Sequence, residues 1–319
     1  MGSRIMKVSV CLTVLNEESS IAALLNSLLT QTKSPNEIVI VDGGSKDRTL
    51  EIIRHYQKKD RRIKLLREKC SRARGRNLGV EIARYPIIAM TDAGCIAQES
   101  WLEQITKPFV NLSIDMVAGF YQMEGKTPFQ KACSVFLGIT PIKFDAKFLP
   151  STRSIAFRKK LWEKLGGFPE NLKDTAEDTV FNYKALKAGT KISRVKSARV
   201  EWRMPETHGE FLKKIYKYAI GDAKTKIFLF PSKGFASHNI KAILIILRYL
   251  LGIFLVISGF KNPLFWVLLV MGLFFYTFWA IRKVYLVYPN WRVGIWGPII
   301  QIFSDMAVMA GFAKGFLIR

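Results

Sequence analysis

Four acidic residues and a cluster of arginines are the side chains whose types and spacing could do chemistry. Asp42 ends one apolar run and is followed by Gly43, Gly44 and Ser45, and Asp92 ends another in "IIAMTDAGC", residues 87 to 95. Glu177 and Asp178 stand side by side further on. A carboxylate at the end of a strand can accept from the N–H of a base or from ribose hydroxyls, and paired glycines let the backbone approach a ligand closely. Plain alternatives stand beside these readings. Asp42 and Ser45 also shape turns and cap helices, and an acid pair suits a helix N-terminus by the dipole alone. "SRARGRNLG", residues 71 to 79, opens a predicted helix with three arginines. Bidentate donors near a helix N-terminus suit a diphosphate, while a solvated or RNA-binding basic face is the competing account.

These residues need a scaffold that brings them to one edge. "KVSVCLTVL" (7 to 15), "EIVIVDGG" (37 to 44), "RIKLL" (62 to 66) and "PIIAMTD" (86 to 92) are short β-branched runs. Between them lie segments of helical spacing such as Ile21, Leu24, Leu25, Leu28 and Leu29. The alternation predicts an α/β fold, a mostly parallel sheet flanked by helices, in which ligands bind beyond the carboxyl ends of the strands. Asn16, Glu17, Asp42 and Asp92 occupy those ends. No G-x-G-x-x-G follows the first strand, which argues against a dinucleotide-dependent dehydrogenase.

The chain has 319 residues, 49% of them hydrophobic, enough for one large domain and a smaller part. Its formal charge is +24; residues 241 to 319 hold eight Lys/Arg and one acid, so +17 belongs to residues 1 to 240. Such basicity suits nucleic acid, an anionic membrane surface or a phosphate-bearing substrate. Cys11, Cys70, Cys95 and Cys133 form no C-x-x-C pair and the three histidines are scattered, so neither a zinc framework nor a disulfide scaffold is expected. "NEESS" interrupts the first apolar run, which does not resemble a secretion signal, and the N-terminal part is expected in the cytosol.

"AILIILRYLLGIFLVIS" (242 to 258) carries one charge and "PLFWVLLVMGLFFYTFWAI" (263 to 281) none, each close to the length a bilayer demands. A membrane-spanning hairpin is expected over 242 to 282, with both flanks in the cytosol, because lysines and arginines lie outside the hairpin and only Lys261 lies in its turn. Residues 208 to 241 read as a basic amphipathic segment on the membrane surface, with Lys213, Lys214 and Lys217 among aromatic residues. Residues 283 to 319 read as an interfacial or re-entrant helix rather than a third span, since Asp305 would be costly at mid-membrane.

Taken together, "VSVCLTVLNEE", "EIVIVDGGSKDRT", "ARGRNLG", "TDAG" and "GGFPENLKDTAEDTVFNYKALKAG" resemble, in order and approximate spacing, the family 2 glycosyltransferases of the GT-A fold. The resemblance covers residues 7 to about 200 and makes 1 to 207 the expected catalytic domain. It implies a nucleotide-diphosphate-sugar donor and inversion at the anomeric carbon. It also implies a donor-binding set of Thr13, Leu15, Asn16, Glu17, Asp42, Gly43, Ser45, Arg72, Arg76, Asp92 and Ala93. By the same resemblance Asp42 faces base and ribose, Arg76 faces the diphosphate, and Asp92 is the first acid of a D-x-D signature.

Gly94 stands where the second acid belongs. Either Asp92, water and the diphosphate hold Mg²⁺ or Mn²⁺, or arginines take over the leaving-group charge. An inverting transfer needs a base for the acceptor hydroxyl. Resemblance to the family's E-D motif assigns that role to Asp178, with Glu177 as its orienting neighbour. Arg153, Ser154, Trp202 and Arg203 are expected on the acceptor side. The expected acceptor is a lipid-linked or membrane-proximal glycan, with membrane lipids as partners and nucleic acid not among them. The alternatives are a catalytically silent nucleotide-sugar-binding membrane subunit, suggested by Gly94, and a basic nucleic-acid-binding membrane protein.

Overall fold

The computed structural model describes residues 6–172, 176–226 and 238–317. The parts of the expected surface segment at 227–237, with Lys233, and of the last helix at 318–319 lie outside the described residues. The chain divides into two compact units, residues 1–122 with 141–203, and residues 123–140 with 204–319.

The first unit opens with β1 (Val8–Val14), α1 (Ile21–Leu29), β2 (Glu37–Asp42), α2 (Thr49–Lys59), β3 (Ile63–Arg67), α3 (Arg72–Ile82) and β4 (Ile87–Met90). It continues through β5 (Cys95–Ala97), α4 (Trp101–Thr106) and β6 (Met116–Glu124), whose last residues pass into the second unit, where α5 (Pro128–Leu137) follows. The chain then returns for β7 (Ile155–Arg158), α6 (Lys159–Leu165), α7 (Glu177–Lys187) and β8 (Ile192–Arg203). The eight strands form one sheet in the order β3-β2-β1-β4-β7-β6-β8-β5. β1, β2, β3 and β4 pair in parallel, whereas β7 runs antiparallel to both β4 and β6, and β5 antiparallel to β8. The sheet is therefore mixed, its parallel half coinciding with the four runs read from the sequence.

Every residue of β2 is buried, as expected of a strand covered on both faces. Cys11 and Val39 on the sheet, Ala73 and Val80 on α3, and Phe157, Phe168 and Phe181 share one apolar cluster. This cluster fixes α3 and α7 against the sheet, and with them the arginines and the Glu177–Asp178 pair.

The second unit holds α8 (His208–Thr225), α9 (His238–Gly259), α10 (Leu264–Tyr285), the short α11 (Trp291–Gly294) and α12 (Trp296–Leu317). Three helical stretches, 239–259, 264–285 and 291–317, are long and apolar enough to cross a membrane. The outer surfaces of α9 and α10 expose Leu251, Phe254, Leu268 and Phe275, the pattern of side chains that meet lipid rather than water. In α12, Asp305 is buried, and its carboxylate accepts from Arg248 Nη2 (2.5 Å), Tyr276 OH (2.6 Å) and Gln301 Nε2 (2.8 Å). The charge whose cost argued for an interfacial helix is thus paired and hydrogen-bonded inside this unit.

α12 lies along α8 for its whole length. The rings of His208 and Trp296 are 5.6 Å apart at one end. Toward the other, a Cβ on Gly311 would stand 2.5 Å from the Tyr216 carbonyl oxygen, and one on Gly315 at 2.5 Å from that of Ile220. Only glycine lets the two backbones approach so closely. On the hairpin, α12 meets Ala242, Ile243, Ile246 and Arg248 of α9 and Tyr276, Ala280 and Lys283 of α10. They lie in the halves of α9 and α10 remote from the Lys261 turn or at mid-helix, where Tyr249 also donates to Asp305 Oδ2 (3.3 Å).

Candidate active site

The carboxyl ends of β1, β2 and β4 and the start of α7 converge in the first unit. At its centre lies Arg76 on α3, whose side chain is 3% exposed. Its Nη2 donates to Asp92 Oδ1 (2.8 Å) and to Thr152 Oγ1 (2.7 Å), and its Nη1 donates to Glu177 Oε1. Thr152 Oγ1 donates in turn to Asp92 Oδ2 (3.1 Å). One guanidinium thus ties the acid after β4 to the first residue of α7, which lies 101 positions from Arg76 in sequence. Burial alone would raise the pKa of Asp92, but the guanidiniums of Arg76, Arg153 and Arg72 outweigh it and hold the carboxyl below the usual carboxylate range.

Glu177 and Asp178 differ sharply in setting. Glu177 is buried, and its Oε2 has no hydrogen-bond partner among the described residues. Asp178, the next residue round the helix, is half-buried, and its Oδ1 accepts only the N–H of Thr179 among its described hydrogen bonds (2.8 Å). Adjacent helical residues point about 100° apart, so Asp178 does not share the buried setting of Glu177. Arg72, in the first turn of α3, has half of its side chain exposed and reaches to 3.8 Å from Glu177 Oε1. Arg153 lays its guanidinium 3.8 Å over the Trp202 ring, with Tyr121 at 5.3 Å.

The donor-side residues divide into ligand-facing candidates and loop stitches. Asp42 is fully buried; its Oδ1 accepts from the N–H groups of Gly44 and Ser45, both at 3.0 Å, and its Oδ2 has no hydrogen-bond partner among the described residues. Asn16 takes a left-handed φ of 54°; its N–H donates to Ser45 Oγ and its Oδ1 accepts from Lys46 N–H, while Glu17 N–H donates to Thr49 Oγ1. These bonds join the loop after β1 to the loop after β2. Thr13 Oγ1, buried beside Gly75, has no hydrogen-bond partner among the described residues, Leu15 is 53% exposed, and Gly43 passes close to the Cys70 carbonyl oxygen. Ala93 is half-buried at the lip.

The acceptor-side residues separate as well. Ser154 is fully buried; its Oγ donates to the Ala198 carbonyl (3.0 Å) and accepts from Trp101 Nε1 (2.9 Å), which makes it part of the frame. Arg203 is exposed at the end of β8, and Trp202 is buried beneath Arg153. Two residues of the network stand outside the site set expected from the sequence. Thr152 sits inside the "PSTRS" segment, and Asn77 follows Arg76 and accepts the Phe168 N–H (2.8 Å), locking the "GGFPE" turn beside α7.

Gly94 has φ 82°, with open space where a Cβ would point. The turn after β4 passes through a left-handed conformation there, which glycine adopts without cost. The residues present do not suit a resident divalent ion. Both Asp92 oxygens accept from protein donors, Glu177 is turned to Arg76, and no group of three His, Cys, Asp or Glu stands ready for a metal among the described residues.

Residues 9–163 match the family described as Glycosyl transferase family 2, and residues 134–291 match Glycosyl transferase family group 2. The glycosyltransferase AglE of Haloferax volcanii is 26% identical over 236 residues, covering 72% of this chain and 76% of AglE. The uncharacterized glycosyltransferase EpsJ of Bacillus subtilis is 28% identical over 198 residues, 58% of this chain and little more than half, 57%, of EpsJ. Two solved structures share the fold. The mannosyltransferase PcManGT of Pyrobaculum calidifontis, in complex with GDP-Man and Mn²⁺, superposes with a TM-score of 0.62 at 20% identity, over 98% of this chain and 87% of that one. Residues 1–349 of S. aureus TarS, in complex with UDP, give 0.52 at 18% identity, over 98% and 90%. A buried arginine that joins the acids of two motifs lies on a mixed sheet followed by apolar helices, and two overlapping family profiles together span residues 9–291: the chain belongs to the family 2 glycosyltransferases of the GT-A fold, which transfer sugar from a nucleotide-sugar donor.

Proposed function

We propose that the protein is an inverting glycosyltransferase in which Asp178 is the general base, acting on a membrane-proximal or lipid-linked hydroxyl acceptor. The observation that carries this reading is the contrast within one acid pair: Glu177 is buried and bonded to Arg76, whereas Asp178 beside it is half-buried and accepts only a local N–H among its described hydrogen bonds. As the acceptor oxygen attacks the anomeric carbon, its proton passes to Asp178, a new C–O bond forms, and the bond to the diphosphate breaks with both electrons leaving on the diphosphate oxygen. Asp42 Oδ2 is the acceptor left for base or ribose, and Arg72 at the start of α3 faces the diphosphate. Arg153, stacked on Trp202, closes the acceptor side, with Arg203 at its rim. No step runs through a metal ion.

The second unit seats the enzyme on the membrane. α9 and α10 form the spanning hairpin, and α12 lies across the hairpin ends remote from Lys261 rather than crossing beside it. Two observations support this. Most partners of α12 on α9 and α10 lie in those halves, with Arg248, Tyr249 and Tyr276 at mid-helix, and α12 packs lengthwise on α8, which exposes Lys213 and Lys217 and could not enter the apolar layer. The basic flanks support a cytosolic catalytic unit by the positive-inside rule. Purified protein is incubated with a panel of nucleotide sugars and a lipid extract. The reading expects nucleoside diphosphate release from one donor that the extract increases; release from none overturns it.

A further inference from the structure

A divalent ion in an enzyme of this kind does electrostatic work: it relieves the repulsion between the donor's diphosphate and the carboxylates beneath it. In this chain that repulsion is already relieved. Asp92 and Glu177 both bond the buried Arg76, and Arg72 stands 3.8 Å from Glu177 Oε1. Arg76 touches Asp92 and Glu177 together, with Thr152 closing the remaining Asp92 oxygen, where an ion would need open carboxylate ligands. Gly94 adds no ligand to this set and, at φ 82°, serves the turn.

We propose that the Arg76 guanidinium stands in for the divalent cation of this site, so that nucleoside diphosphate binds without metal. This rests on the donor reading above. At 3% exposure Arg76 does not touch the donor; it is a positioning residue that neutralises Asp92 and Glu177 and holds them in one frame. Contact with the diphosphate falls to Arg72, half-exposed on the first turn of α3, and to Arg153, held by Trp202 and by Ser151 Oγ at 2.9 Å. A guanidinium is suited to the task because its planar fork bonds two carboxylates at once and stays charged at any working pH.

The test is calorimetric titration of UDP and of GDP into the full-length protein in detergent, once in excess EDTA and once with Mn²⁺. The native chain is expected to bind its nucleotide with a Kd that differs less than about threefold between the two conditions. Arg76→Ala leaves Asp92 and Glu177 open to an ion, so its binding should be weak in EDTA and regained about tenfold or more with Mn²⁺. If Arg76→Ala does not fold, Arg76→Lys, which keeps one charge but loses the fork, should show the same ion dependence at smaller amplitude. Binding by the native chain that weakens about tenfold or more in EDTA overturns the proposal alone. Variant binding that Mn²⁺ leaves unchanged overturns the role of Arg76. Failure of both nucleotides to bind under either condition overturns the donor reading, and this inference with it.

Discussion

Glu177→Gln and Asp178→Asn are one-atom changes in adjacent residues, and the structure expects them to fail in different ways. Glu177 lies opposite Arg76 with both side chains 3% exposed, so its carboxylate is one of the two that balance a buried guanidinium. Glutamine keeps an acceptor for Arg76 Nη1 but loses the charge; a charge-assisted hydrogen bond of this type contributes roughly 1.5 to 3 kcal/mol. For a unit of this size, each kcal/mol moves the melting temperature by about 2 to 4 °C, so Glu177→Gln should melt about 3 to 12 °C lower. Asp178 accepts one local N–H and pairs with no described cation, so Asp178→Asn should melt within about 2 °C of the native protein. Its loss appears in rate instead, about 10² to 10⁴, the usual worth of a general base, with donor affinity preserved. Thermal melting, nucleotide binding and sugar transfer are measured on the same preparations. An unchanged melting temperature for Glu177→Gln, or near-native transfer by Asp178→Asn, would refute the division of labour.

Other expectations follow from packing and placement. Gly311→Ala sets a methyl 2.5 Å from the Tyr216 carbonyl and should cost about 1 to 3 kcal/mol, while Gly252→Ala, with open space around it, should be neutral or slightly stabilising; equal melting curves for the two would contradict the close crossing of α8 and α12. A cysteine at Lys261 should label from outside intact cells, whereas cysteines at Lys224 and Lys314 should not; labelling at Lys314 would mean that α12 crosses. Cys11, Cys95 and Cys133 are buried, and burial pushes the Cys95 and Cys133 thiols up to about 12, so in the folded protein a thiol reagent at neutral pH should modify at most the half-buried Cys70. Modification of two or more thiols without unfolding would contradict that packing.

The strands of the parallel half were legible because β-branched runs bounded by glycine and polar residues have few other ways to fold, and β1, β2 and β4 lie within the runs read for them. The acids at their ends were legible for the same reason. The partner of each was not: Arg76 and Glu177 are far apart in sequence, and which acceptor a guanidinium meets depends on how α3 and α7 pack on the sheet. Ser154 illustrates the opposite failure. A serine beside Arg153 looks accessible in a linear motif, yet it follows a turn that buries its hydroxyl between Trp101 and Ala198. Gly94 stands where a D-x-D signature has its second acid, and its positive φ supplies a conformational reason for glycine that periodicity cannot register. Asp305 looked costly only because Arg248 and Tyr276, 57 and 29 residues away, could not be placed beside it.

The central claim is direct displacement at the anomeric carbon with Asp178 as base, and the configuration of the product reads it most directly. The donor identified in the nucleotide-sugar panel is turned over with its acceptor, and the anomeric proton of the isolated product is observed by NMR before any further processing. A product of anomeric configuration opposite to the donor, formed at a rate that collapses in Asp178→Asn, is the predicted result. Retention of the donor's configuration would contradict a single displacement, whatever the rate.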